Sequence, residues 1–398
     1  MDAQSVKERN LLAFETPGGD IVAKKHSGEF AKIVSDAATV RDCLANGYAP
    51  VGHNVLDFTI TKKDGLYHLF HIPCVPGMRH ILPGHDHWLG HAVSKDLDTW
   101  TTLDASVFID PANDYESAHV WAPFVCEAQG TYYMHYTGVT PEVTQVICMA
   151  AAQDGDLLRW KKSESNPVIP IEGFDWHWKN TRGRVADARD PHIVKTDDCY
   201  LLAYTALHKE GCPAVGGMVS DDILHWEDIG PILYRPIGPN ARWSPESVNI
   251  QPLPDGKWAL FPSATPGITY YVSDTPYAWH RSRPTQLEYE GHDNKDMGGI
   301  ELLARDDANM RWLVAYFGKK IVRLFMGVLD FSRDPWTVRR VTSPSELEEW
   351  PILRSRLYCS QTFHRYIAPA LPFPMLLHLL QSVRMQRQLI GEGTSWTR

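Results

Sequence analysis

Short runs in which apolar and polar residues alternate, separated by Gly-, Asp- and Ser-rich turns, organise the chain; no stretch keeps a helical period. One pattern recurs five times. A turn leads into an aromatic and β-branched run, a small-residue run follows, and an acidic turn ends in Trp. DGLYHLF (residues 64–70) is followed by GHAVSKDLDTW (90–100), and QGTYYMHYTG (129–138) by VICMAAAQDGDLLRW (146–160). DDCYLLAYTA (197–206) precedes GGMVSDDILHW (216–226), DGKWALFPSA (255–264) precedes ITYYVSDTPYAW (268–279), and ANMRWLVAYFG (308–318) precedes LFMGVLDFSRDPW (324–336). Asp-Gly and Gln-Gly turns that feed alternating runs predict β-hairpins.

Five such units, at a spacing of roughly 55 to 70 residues, predict an all-β fold: a five-bladed β-propeller over residues 50–340. Residues 1–49 form an N-terminal extension and residues 341–398 a C-terminal tail to which the pattern assigns no structure. The recurring Trp100, Trp160, Trp226, Trp279 and Trp336 are expected to pack the blades rather than to do chemistry.

Composition narrows the class. A formal charge of −9 argues against nucleic acid as the main partner, since phosphate binding needs a basic surface. No apolar stretch is long enough for a membrane span, and the N-terminal residues lack the apolar core of a secretory signal, so a cytoplasmic protein is expected. The seven cysteines contain no C-x-x-C pair, which predicts reduced thiols and neither a zinc site nor a disulfide framework. No cofactor is expected. Oligomeric state leaves no mark in the pattern.

In a propeller the first strand of each blade lines the central channel. Those segments read HNVLDFTI, HVWAPFV, DARDPHIV, SPESVNI and GGIELLA. Three carry an acid at what looks like a matching place: Asp57 lies ten residues before Tyr67, Asp190 ten before Tyr200, and Glu246 twelve before Trp258. An Asp beside Pro often only caps a turn. Convergence of three acids is much more specific, because crowded carboxylates repel one another and at least one must hold its proton more tightly. Glu301, in the fifth blade, is a decoy that also faces the channel.

The residues carry a family resemblance over about positions 50–340. GLYHLFHI with HWLGHAVSKDLDTW, the N-P-V-I ending after the second unit, the R-D-P of residues 189–191, and SPESVNIQPLPDGKWALFPS resemble glycoside hydrolase family 32, the β-fructofuranosidase clan. HVWAPFV resembles the related family 43. Two departures stand out: HNVLDFTI replaces the usual W-M-N-D-P-N-G-type motif, and Ser247, not Cys, follows Glu246.

The resemblance implies a glycosidase acting on a carbohydrate. In it Asp57 is the nucleophile or general base, Glu246 the general acid, and Asp190, beside Arg189, stabilises the charge of the transition state. Direct attack needs the carboxyl groups about 5 to 5.5 Å apart and retains configuration; an intervening water needs roughly 6.5 to 9.5 Å and inverts it. Trp88, Trp121, Trp243, His87 and Arg189 are candidate substrate contacts. The alternatives are a family 43-type arabinofuranosidase or xylosidase, and a carbohydrate-binding propeller without catalysis. The histidines of HILPGHDHWLGH (residues 80–91) also raise a metal site as a rival, although their spacing matches no standard zinc motif.

Overall fold

The computed structural model describes residues 38–78, 82, 84–153, 157–170, 173–178, 188–234, 245–264, 267–290, 297–348 and 350. The chain divides into two units, residues 1–347 and 348–398. The first is a five-bladed β-propeller.

An edge strand β1 (Thr39–Val40) and a single helical turn α1 (Cys43–Asn46) precede the blades. Blade 1 comprises β2 (Asn54–Lys63), β3 (Leu66–Cys74), β4 (Trp88–Ser94) and β5 (Trp100–Phe108), with β1 paired to the outer strand. Blade 2 comprises β6 (His119–Ala128), β7 (Thr131–Val139), β8 (Gln145–Ala152) and β9 (Trp160–Lys162). Blade 3 comprises β10 (Ala188–Lys195), β11 (Tyr200–Leu207), β12 (Pro213–Ser220) and β13 (Glu227–Tyr234). Blade 4 comprises β14 (Glu246–Pro252), β15 (Trp258–Ala264), β16 (Gly267–Ser273) and β17 (Thr285–Gln286). The short β18 (Glu288–Glu290) then runs parallel to the outer strand of blade 5, which comprises β19 (Met297–Asp306), β20 (Arg311–Gly318), β21 (Leu324–Asp330) and β22 (Thr337–Arg340).

Apolar side chains fill the spaces between successive blades. Phe70, Leu89, Val120 and Tyr136 join blades 1 and 2, and Phe124, Ile193, Leu202 and Tyr204 join blades 2 and 3. Leu201, Val215, Ile250 and Tyr271 join blades 3 and 4, and Phe261, Tyr270, Trp312 and Trp336 join blades 4 and 5. Burial of this kind, about 25 cal/mol per Å² of apolar surface, is the main stabilising term.

The repeated acidic turns explain the recurring Trp residues. In blade 1 the Ser94 hydroxyl accepts the Leu97 N–H at 2.8 Å and Asp96 Oδ1 accepts the Thr99 N–H at 2.7 Å; the Trp100 indole then donates to the Leu97 carbonyl at 3.0 Å. Blade 3 repeats the turn with Ser220, Asp222 and Ile223. In blades 2 and 4 the indoles of Trp160 and Trp279 donate three residues back, to Leu157 and Pro276. Trp100, Trp160 and Trp279 therefore each close a turn and pack a blade, with Trp100 and Trp279 fully buried.

Residues 38–49 bind the first blade to the last. Tyr48 exchanges two backbone hydrogen bonds with Leu324 of β21, at 2.8 and 2.9 Å, while Thr39 and Val40 pair with β5. The six cysteines among the described residues are free thiols.

Candidate active site

All five innermost strands break register at the same level. The irregularities fall between Leu56 and Phe58, Trp121 and Phe124, Arg189 and His192, Glu246 and Asn249, and Gly298 and Ile300. The bulged residues are Asp57, Ala122, Asp190, Ser247 and Gly299. Four of them are left-handed, with φ of 43° at Ala122, 57° at Asp190, 46° at Ser247 and 54° at Gly299. A non-glycine residue held there costs about 1–3 kcal/mol, and bulges of this kind re-aim side chains near functional sites. The Asp190 N–H is fixed by donation to Thr137 Oγ1 at 3.2 Å.

This ring corrects one expectation. Glu246 does not occupy the position of Asp57 and Asp190; Ser247 does. Glu246 lies one residue earlier, in the place taken by Leu56, Trp121, Arg189 and Gly298 in the other blades. The longer β14–β15 turn, Leu253 to Lys257, disguised the offset in sequence spacing.

Above the ring opens a funnel of about 500 Å³ whose lining includes Asp57, Asp190, Glu246, Arg189, Trp121 and Ser247. Ser247 couples the two aspartates: its N–H donates to Asp190 Oδ2 at 2.8 Å and its hydroxyl to Asp57 Oδ1 at 2.5 Å. Thr205 Oγ1 also donates to Asp190 Oδ2, at 3.0 Å. Arg189 ties in the third acid. Its Nη2 donates to Glu246 Oε1 at 2.9 Å and its Nη1 to Gln145 Oε1 at 3.3 Å, while Nε stands 3.5 Å from Asp190 Oδ2. Burial raises the Asp190 pKa above the usual carboxylate range, and the neighbouring Asp57 charge raises it further; Arg189 and the Ser247 N–H oppose them. Glu246 differs in exposure, with 53% of its side chain open to solvent against 6% for Asp190. One funnel thus holds a buried Asp190 and a half-buried Asp57, joined through Ser247, and an open third acid.

The sequence model of the glycosyl hydrolases family 32 N-terminal domain matches residues 59–292, more than half of the chain. The chain belongs to glycosyl hydrolase family 32. The family match begins two residues after Asp57, so the position of Asp57 rests on the bulge ring and its bond to Ser247.

Among relatives of this family, acid beta-fructofuranosidase 4, vacuolar, of Arabidopsis thaliana is 38% identical over 156 residues, 37% of this chain and 21% of that protein. The cell wall isozyme of beta-fructofuranosidase from Pisum sativum is 32% identical over 111 residues, 27% of this chain and 19% of that protein. These matches span about a fifth of the relatives' own length. Fructan 1-exohydrolase IIa from Cichorium intybus superposes with a TM-score of 0.55 at 17% identity, covering 74% of this chain and 59% of that one. The cytoplasmic location expected from the N-terminal sequence is overturned by these family 32 relatives, which are vacuolar and cell-wall proteins by name.

Of the expected substrate contacts, Trp121 and Arg189 line the funnel. Trp121 is stacked on His119, with ring centroids 5.2 Å apart, and its indole donates to Asp86 Oδ2 at 3.2 Å. Trp88 begins β4 and meets His53 edge-on, and His87 is buried near His119; neither lines the funnel. Trp243 lies outside the described residues, as does His80. The remaining histidines stack within the fold. His68 Nδ1 and His91 Nε2 are 3.1 Å apart, and burial lowers the pKa of both rings. Among the described residues no three His, Cys, Asp or Glu side chains gather as a metal site.

Sequence reasoning missed Ser247, Gln145, Phe317 and Lys319 as funnel residues. Ser247 did leave a trace, as the departure from the family's Cys after the glutamate.

Proposed function

We propose that the funnel hydrolyses a β-fructofuranoside bond, with Asp57 as nucleophile, Glu246 as acid and base, and Asp190 as stabiliser of the transition state. The observation that carries this reading is the Ser247 bridge: one residue holds Asp57 and Asp190 together while its predecessor, Glu246, stands open to solvent beside them.

The geometry supports a division of labour. An ionised Asp57 accepts a 2.5 Å bond from the Ser247 hydroxyl, which fixes one carboxylate oxygen and leaves the other to attack the anomeric carbon. Glu246, the most solvent-accessible of the three, gives its proton to the departing oxygen, so the C–O bond breaks as the Asp57 ester forms. The resulting Glu246 carboxylate then takes a proton from water, which attacks the anomeric carbon and releases Asp57. Asp190 and Arg189 do not exchange protons in either step. Asp190 accepts hydrogen bonds from sugar hydroxyls, and these strengthen as the ring becomes cationic. Trp121 offers a flat apolar wall to the sugar.

The test is release of sugar by purified protein and its Asp57→Ala variant from sucrose, short β-fructans, and aryl arabinofuranosides and xylosides. Fructose released by the parent and lost in the variant supports the reading. Pentose release in place of fructose overturns the substrate and moves it toward the family 43 activities. A folded parent protein that binds these sugars and releases nothing overturns the hydrolytic step.

A further inference from the structure

Below the bulge ring the propeller axis narrows to a chamber of about 30 Å³, bounded by Asp57, Asp190 and Ser247 from the ring and by His192 and Glu301 beneath it. We infer that His192 and Glu301 hold one water in this chamber and that the water hydrogen-bonds the Asp57–Asp190 pair from the side opposite the substrate, making Glu301 a positioning residue. The inference rests on the reading of that pair as the working carboxylates.

The size is right for one water, which needs a site of at least about 10–15 Å³ and two to four polar partners. The partners come from a second ring. Two residues past each bulge stand Thr59, Phe124, His192, Asn249 and Glu301, and two neighbouring pairs touch. Phe124 packs on His192 with ring centroids 4.6 Å apart, and the Asn249 amide donates to Glu301 Oε2 at 3.4 Å. The other proton of that amide goes to the Ile300 carbonyl at 2.9 Å. The Ile250 N–H donates to His192 Nδ1 at 3.4 Å, so the neutral imidazole carries its proton on Nε2. His192 stays neutral because burial pushes its pKa down to about 3.

Glu301 has the complementary property. Burial pushes its carboxyl up to about 8, with no basic group among the described residues to offset it, so near neutral pH it keeps its proton and is a donor. Two donors below and two carboxylates above form a set that a single water bridges completely, accepting from His192 and Glu301 and donating upward. An ionised Glu301 would crowd a further negative charge beneath the Asp57–Asp190 pair; a protonated one supplies a hydrogen bond without that repulsion.

Glu301→Gln keeps the length and the donor, and Glu301→Leu removes the donor at similar volume. Crystal structures of all three proteins, to about 1.6 Å, would show an ordered water in the chamber of the parent and of Glu301→Gln and none in Glu301→Leu. On the fructoside substrate, kcat of Glu301→Leu falls about tenfold or more with KM within about twofold, and Glu301→Gln recovers most of the loss. An empty chamber in the parent overturns the inference, as does a folded Glu301→Leu with the parent's kcat. If the parent turns over no glycoside, the reading of the funnel has failed separately, and the crystallographic water alone decides the chamber.

Discussion

The Ser247 hydroxyl stands 2.5 Å from Asp57 Oδ1, joining residues 190 positions apart in the chain, and the same residue's N–H reaches Asp190. Removing the hydroxyl leaves the backbone bond intact. Hydrogen bonds to charged groups contribute about 1.5–3 kcal/mol, so Ser247→Ala should lower kcat about 10- to 100-fold while the far-ultraviolet spectrum and melting temperature stay near the parent's. Ser247→Cys, with its weaker S–H donor, should fall between the two. Steady-state kinetics on the fructoside substrate would check the order.

Glu246 is the open member of the trio, and its role as acid is read in the leaving group. Glu246→Ala should lose most turnover on alkyl or sugar leaving groups, by about 10²- to 10⁴-fold. On aryl glycosides, whose leaving oxygen needs no proton, the first step should lose far less. An equal loss on both classes would remove Glu246 from the acid role.

Asp190 makes the fold less stable than it need be. Its native pKa is raised by burial and by Asp57 above the ordinary unfolded value of about 3.9, so the unfolded chain gives up this proton first. Stability therefore falls as pH rises from the ordinary carboxylate range until Asp190 is ionised in the native state as well. Asn at this position keeps an oxygen for the Ser247 and Thr205 donors and carries no charge. Asp190→Asn should be inactive yet melt higher than the parent near neutral pH, with the difference vanishing below about pH 4. Thermal melts across that range would show it.

Glycine at 298 protects the funnel wall for a steric reason. A Cβ there would lie 2.4 Å from the Phe317 ring, one of the funnel's lining residues, without any change in backbone preference. Gly298→Ala should push that ring aside, cost about 1–3 kcal/mol in urea unfolding, and raise KM more than it lowers kcat.

Much of this architecture was legible in the chain because the hairpins recur and the Ser–x–Asp turn returns in blades 1 and 3. The Ser–x–Asp turns and their closing Trp residues are local, and local signals survive in sequence. Asp57 and Asp190 were legible for the same reason, since each stands at one distance from an aromatic that recurs. The offset of Glu246 was not, because a bulge changes register without changing residue type and the β14–β15 turn varies in length. Trp88 and His87 stand outside the funnel lining because proximity to an inner strand in sequence does not fix which side of a blade a side chain takes. Glu301 looked like a decoy; its level on the axis, two residues below the ring, is a property of the closed propeller.

The clasp of Tyr48 on Leu324 also sets the order in which the protein can become competent during synthesis. Asp57 leaves the ribosome first, but its Ser247 partner follows 190 residues later and the strand that locks the ring later still. Nascent chains that end before blade 5 contain every proposed reacting carboxylate and still lack the closure that sets them face to face, so competence arrives at once, when blade 5 is complete, and not blade by blade.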